Sequence, residues 1–213
     1  MRKTYLVAAL AACVGACTPP PQIVDRSDFL AEATRTYQGE TTERVILAAQ
    51  RVLEQSDPKG FEFRNTLNGF EGLRKYFIYA VIASQSGRER WDFTADRDPN
   101  GAVKAGLTVS DAGASQSGYN HTPYDVQMAS IPLYRLFWSR VEYVLGRNDN
   151  WQTCDEAELQ FHDTKINPVV ALGGLCGPTS HGRDGEPPER LAPLARSTPV
   201  PVATPKHEKA KQG

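Results

Sequence analysis

The chain has 213 residues, 40% of them hydrophobic, and a formal net charge of −1 with its histidines neutral. Its 24 basic side chains against 25 acidic ones exclude the basic excess of a general nucleic-acid binder. The length holds one domain of ordinary size with tails, or one domain and a small appendix.

Residues 1–16 begin with Arg2 and Lys3 and continue from Tyr5 to Val14 in apolar or small side chains. A run of about ten residues is too short to cross a bilayer as a helix, but it matches the charged n-region and apolar h-region of an export signal. Cys13 lies inside that run. Gly15 and Ala16 supply small residues for cleavage, and Cys17 follows. The stretch Val14-Gly15-Ala16-Cys17 resembles the lipobox of bacterial prolipoproteins: an aliphatic residue, two small ones and a cysteine. The resemblance implies that residues 1–16 are a signal peptide, that Cys17 carries lipid on its thiol and amino group, and that a membrane is the chain's first partner. Thr18, standing where aspartate would retain such a protein at the inner membrane, implies sorting to the periplasmic face of the outer membrane. Loss of Arg2 and Lys3, with no acid lost, would lower the charge from −1 to −3.

Residues 17–40 read as a lipidated tether and a short helix. "TPPPQIVDRS" is Pro-rich and semi-rigid, and "SDFLAEATRTYQ" predicts a helix capped by Ser27 or Asp28. Residues 41–147 form the α+β domain. A helix capped by Thr41 or Thr42 carries Val45, Ala48, Ala49, Val52 and Leu53 on one stripe, and Asp57-Pro58 and Gly60 stop it. "FEFRNT" alternates with Phe61 and Phe63 on one face, and Asn68-Gly69 predicts a type I′ hairpin turn. "FEGLRKYFIYAVIAS" begins as a strand and leaves its end open between strand and helix. "RERWDFTAD" turns Trp91, Phe93 and Ala95 inward and Arg90, Asp92 and Thr94 outward. Turn residues at 98–101 lead into Val103, Ala105, Leu107 and Val109. "DAGASQSGYNHTPYDVQ" reads as a polar loop of the length that is usually functional or mobile. The second helix has Ser130 or Ile131 at its cap, Pro132 in its first turn and Gly146 beyond its end. It buries Leu133, Leu136, Phe137, Val141 and Val144, with Arg140 at the edge of that face.

The expected fold is α+β, an antiparallel three- or four-stranded meander with helices packed on one face. Its element order is similar to a helix-grip two-layer sandwich, a likeness of topology alone. Residues 148–177 form a helical segment tied by a Cys154–Cys176 disulfide, with Thr153-x-x-Glu156 as a capping box. His162 is the only histidine near that pair and no CxxC or HxxxH spacing exists, so no metal site is expected. Residues 178–213 read as a disordered Pro-rich tail with a solvated basic end, Lys206 to Lys211.

No catalytic signature stands out: GxSxG, Walker A, GxGxxG and HExxH are all missing. Ser110-Asp111, Ser115 to Ser117 and His121 read as a polar loop, His162-Asp163 as a surface pair, and Asp96, Asp98, Asn100 and Asp111 as turn chemistry rather than a calcium loop. Tyr119, His121 and Tyr124 are partner-contact candidates, weighed against aromatics that pin the loop to the core. Tyr134, Phe137, Trp138 and Tyr143 either pack with Trp151 beneath the disulfide-tied segment or line a groove. The expectation is a non-enzymatic envelope lipoprotein without cofactors, an interaction or assembly module with a protein partner in the envelope. The alternative is a carrier holding an apolar ligand between the sheet and the second helix, which requires a dry cavity there.

Overall fold

The computed structural model describes residues 25–162, 164, 166–177, 180 and 186–194. The signal segment, Cys17, Asp163 and the basic end lie outside the described residues. Among the described residues five α-helices and six strands follow in order: α1 (Arg26–Glu32), β1 (Thr34–Tyr37), α2 (Thr42–Ser56), β2 (Phe61–Thr66), β3 (Gly69–Ala80), β4 (Ala83–Arg97), β5 (Val103–Ser117), β6 (Asn120–Gln127), α3 (Ile131–Val144), α4 (Cys154–Glu158) and α5 (Pro168–Ala171). All strand pairs are antiparallel, in the order β1-β5-β4-β3-β2, with β6 sharing an edge of β5 with β1. Among the described residues no helix is long and apolar enough to cross a membrane.

The α+β class and the one-sided helix layer agree with expectation, but the sheet is larger than a three- or four-stranded meander. "SDFLAEATRTYQ" divides: Asp25, not Ser27 or Asp28, caps α1 by accepting from the Ser27 amide at 2.8 Å. The remainder becomes β1 against Val103–Gly106. The supposed polar loop is the second half of β5 and all of β6, joined at Gly118 and Tyr119. "FEGLRKYFIYAVIAS" is strand throughout except for the two-residue turn Val81-Ile82.

The β2–β3 hairpin also turns one residue earlier than its Asn-Gly signal suggests. Leu67 and Asn68 form the loop, and neither has positive φ. The observed register pairs Phe63 with Gly72 and Arg64 with Glu71, 3.2 Å apart. β4 holds the turn as well: Asn68 donates to both carboxylate oxygens of Asp96, and its carbonyl accepts from Ala95.

The inner face of the sheet meets α2 and α3 through linked aromatic rings: Phe61 on Phe63, Phe63 on Phe70, Phe70 on Phe93, and Phe93 on Phe137 and Trp138. Trp91 packs between Phe61 and Phe137. The five stripe residues of α2 and the predicted apolar residues of β4, β5 and α3 are all buried. Each fully buried aliphatic or aromatic side chain contributes roughly 1.5–3 kcal/mol of transfer free energy, so this layer supplies the main driving force of the domain.

The Cys154–Cys176 disulfide is formed across a separation of 22 residues. The Thr153–Glu156 capping box opens α4, with reciprocal bonds of 3.2 and 2.8 Å. Beneath the disulfide lies Arg140, which is fully buried rather than at the edge of the α3 face. Its guanidinium donates to Ser56 Oγ, the Gln152 carbonyl and Cys154 Sγ, and lies 4.7 Å from the Trp151 ring. Burial lowers its pKa to about 10. Residues 186–194 of the expected tail are strapped over the helices. Leu191 donates its amide to the Val144 carbonyl, Arg190 lies over Tyr143 and pairs with Asp149, and Arg44 and Arg51 of α2 hold the Ala192 and Glu189 carbonyls.

Candidate functional site

Among the described residues, helices cover only half of the inner face. Beyond the row Arg74–Glu89–Asp111, four strands run on for about six residues, roughly 20 Å, as a free end. β2 begins opposite Arg74, so from Lys75 to Ala80 β3 is paired with β4 alone and no described strand lies along its other edge. Three groups of side chains occupy this region: a buried ionic row, a tyrosine bridge and an apolar tip.

The ionic row closes the core. Arg74 is 2% exposed and donates to Asp57 Oδ2 at 2.8 Å, Glu89 Oε1 at 3.2 Å and Ser180 Oγ at 3.3 Å. Glu89 Oε2 accepts from Trp91 Nε1 at 3.2 Å and from the Gly174 amide at 2.9 Å. Burial raises the Glu89 pKa above the ordinary glutamate value, while Arg74 pulls it the other way. A buried carboxylate with these partners is satisfied, as burial demands.

Next comes the tyrosine bridge. Tyr76 of β3 and Tyr124 of β6 reach toward each other over Gly87 and Gly113, and their hydroxyls meet at 2.5 Å. A Cβ on Gly87 would lie 2.6 Å from both hydroxyl oxygens, and one on Gly113 would lie 2.2 Å from the Ser86 carbonyl oxygen. The two glycines therefore clear the surface on which the phenols lie. Gln85 donates to both hydroxyls, at 3.1 and 3.0 Å, and Tyr76 donates to Asp111 Oδ2 at 2.8 Å. The other Asp111 oxygen is buried without a hydrogen-bond partner. Burial raises the Asp111 pKa despite the Tyr76 bond and the nearby Arg74 charge; it also raises the Tyr76 pKa, reinforced by its bonds to Tyr124 and Asp111. The recess between these groups, Met128, Val169 and Gly173 holds about 40 Å³. That is room for water, well below the several hundred Å³ of an organic-ligand pocket.

At the far end the polarity reverses. Val81 and Ile82, the β3–β4 turn, are 90% and 83% exposed, and Phe77, Tyr79 and Tyr119 are exposed beside them. From Tyr76 to Gly87 and from Ala112 to Tyr124 there is no Asp, Glu, Lys or Arg. The first charges behind the tip on the outer face are Lys75 and Arg88, directly paired, and Asp125 at the β6 end of the same row.

The three partner-contact candidates do not form one surface. Tyr119 stands at the turn, His121 shares the outer face with Gln116, and half-buried Tyr124 turns inward to the bridge. Ser110, Asp111 and His121 do not converge as a catalytic Ser/His/Asp set would, because Asp111 faces inward while Ser110 and His121 face outward. His162 is exposed. Asp98 Oδ1 accepts from the Asn100 and Ala102 amides, and this is turn chemistry. Among the described residues no three His, Cys, Asp or Glu side chains are placed to hold a metal ion. The aromatic excess of α3 is spent internally: Tyr134 donates to the Met128 carbonyl, Trp138 to that of Glu32, and Tyr143 packs edge-on against Trp151.

Sequence reasoning missed Arg74, Glu89 and the tyrosine bridge. Glu89 did carry a signal, since it has the same parity as Trp91, Phe93 and Ala95. No family model matches the chain. No significant match appears among curated proteins or solved structures either.

Proposed function

We propose that this chain is a membrane-anchored envelope lipoprotein, whose α+β domain is a non-enzymatic interaction or assembly module facing the periplasm. The observation that carries the reading is the coincidence, within residues 1–17, of Arg2 and Lys3, a short apolar run and Val14-Gly15-Ala16-Cys17. Thr18 favours the periplasmic face of the outer membrane, and the proline-rich stretch after it suits a spacer.

The interior supports the module over the carrier. A carried apolar molecule would need the space between sheet and α3, and Trp91, Phe93, Phe137 and Val141 occupy it, all buried, with the Phe137 ring against those of both Trp91 and Phe93. The exposed apolar turn at the free end of the sheet, in contrast, is surface of the kind that marks a contact site.

The test is a mass spectrum of the chain from the membrane fraction of its native host, beside a Cys17→Ser variant. A mature chain that starts at residue 17 and carries lipid, absent from the variant, is expected. A soluble, unlipidated product would refute the anchor.

A further inference from the structure

The Val81-Ile82 turn carries side chains that hairpin loops seldom hold, although neither residue has positive φ. Two-residue hairpin loops select Asn, Asp or Gly, and β-branched apolar residues are the poorest choice. Here Val81 and Ile82 fill the loop between Ala80 and Ala83, and water covers them. Two adjacent large apolar side chains left in water at a turn mark a position chosen for something other than folding.

The surroundings indicate what the turn meets. The 25 residues of the two hairpin ends carry no formal charge, so entry into a low-dielectric phase desolvates no ion. Phe77, Tyr79 and Tyr119 are aromatic, the residue class that settles at the lipid–water boundary. Lys75 and Arg88 follow on the outer face, two residues behind Phe77 and about 7 Å along the strand, at headgroup distance; Asp125 ends the same row at β6, two strands away from Arg88, so the β3–β4 side of the row is the basic one.

The position of the N-terminus adds an independent constraint. Phe29 packs on Tyr134, whereas Glu32 binds Arg135 and accepts from Trp138, so α1 runs alongside α3 in the same sense. Tyr134 lies by Val109, and Trp138 by Phe93 and Tyr37, farther from the free end. α1 thus starts on the tip side of the domain. Val109 is eight residues from Ser117, roughly 27 Å along β5. The eight steps from Cys17 to Asp25 span at most about 26–29 Å, so a lipid on Cys17 reaches the plane of the tip.

We propose that the Tyr79–Ala83 hairpin end, with Tyr119 beside it, inserts into the interface of the same bilayer that holds the Cys17 lipid, and that Lys75 and Arg88 meet anionic headgroups there. This second contact fixes the orientation of the domain: sheet end down, outer face and helix layer standing clear. It takes the tether length from the lipoprotein reading, whereas the tip chemistry stands without it.

The test places a reporter at each end of the sheet. Full-length chain carrying Ile82→Trp is reconstituted into phosphatidylethanolamine–phosphatidylglycerol vesicles containing brominated lipid. Leu67→Trp, at the exposed turn of the opposite end, is the control. Thermal melts verify folding, and the wild-type emission of Trp91, Trp138 and Trp151 is subtracted. The added emission of Ile82→Trp should fall at least twofold on bromination, and that of Leu67→Trp should not change. Emission from Ile82→Trp that is unquenched on vesicle-bound protein overturns the proposal. A blue-shifted but unquenched indole also overturns it, showing that a protein partner or second copy covers the tip. The mass of the same sample separates the two readings. Lipidated Cys17 with an unquenched tip leaves the anchor standing without the insertion, and a quenched tip on an unlipidated chain leaves the insertion standing without the anchor.

Discussion

Replacing Arg74 with Met would leave Asp57 and Glu89 facing each other in the interior without the guanidinium between them. Arg74 is 2% exposed, and the two carboxylates are 3% and 4% exposed, so water does not screen the loss. Removing one partner of a buried ion pair costs about 3–5 kcal/mol, because the remaining charge keeps its desolvation penalty. That is a large part of the ~5–15 kcal/mol that holds a domain folded. Urea titration followed by tryptophan emission suits the site, since Trp91 donates directly to Glu89. With a denaturant slope of about 2 kcal/mol per molar, the midpoint should fall by about 2 M. Adding Glu89→Gln to Arg74→Met removes one uncompensated charge and should recover at least about 1 kcal/mol. The deficit should also shrink on acidification, as the stranded carboxylates take up protons in the folded variant. A loss below about 1 kcal/mol for Arg74→Met, or no recovery on adding Glu89→Gln, would refute the claim that the row is an obligatory charge set.

Glu89 and Asp111 give the native chain a pH dependence of definite sign. Both folded pKa values lie above the ordinary 4.5 and 3.8, chiefly through burial. Their contribution is complete below those ordinary values and fades as pH rises through the folded ones. Unfolding free energy measured upward from about pH 4 should therefore carry a falling component, flattened by Glu89→Gln. Reducing Cys154–Cys176 releases a loop closed over 22 residues and should lower stability by about 3.4 kcal/mol on the chain-entropy relation, read as a urea midpoint with and without dithiothreitol. Gly113→Ala should cost about 1–3 kcal/mol and Gly87→Ala less, because the new methyl meets backbone in the first case and tyrosine side-chain ends in the second. Thermal midpoints of the two variants, side by side, check that order.

Where one face of an element was buried, its pattern was legible. The α2 stripe and the alternation around Trp91 and Val109 name core residues because water meets only one side of each element. In the free half of the sheet that signal disappears. Asp111, Gly113, Ser115 and Ser117 face one way and Ala112, Ala114 and Gln116 the other, and neither set is apolar. The strand persists there because backbone pairing with β4 and β6 holds it, and backbone pairing leaves no trace in side-chain periodicity. Arg74 was hidden because its segment was open between strand and helix, and Glu89 because a charged residue on an apolar parity is easily taken as an exception. The tyrosine bridge joins positions 48 residues apart through two glycines, a coincidence that no local window contains.

The way β1 is seated has a mechanical consequence. β1 holds only four residues against β5, and the chain before it runs through α1 toward the free end of the sheet. A load applied to residue 25 from that side first draws on α1, seven residues long and without a buried side chain. It then arrives along the axis of β1 rather than across it. Antiparallel hydrogen bonds lie perpendicular to the strands, so the bonds along β1 resist together in shear instead of opening one at a time. Beyond the strand, Arg147 grips the Gln38 carbonyl and Glu40, so the pull ends on the helix layer and the hydrophobic core. A domain held this way gives up a short, recoverable length of helix under tension before its core is loaded.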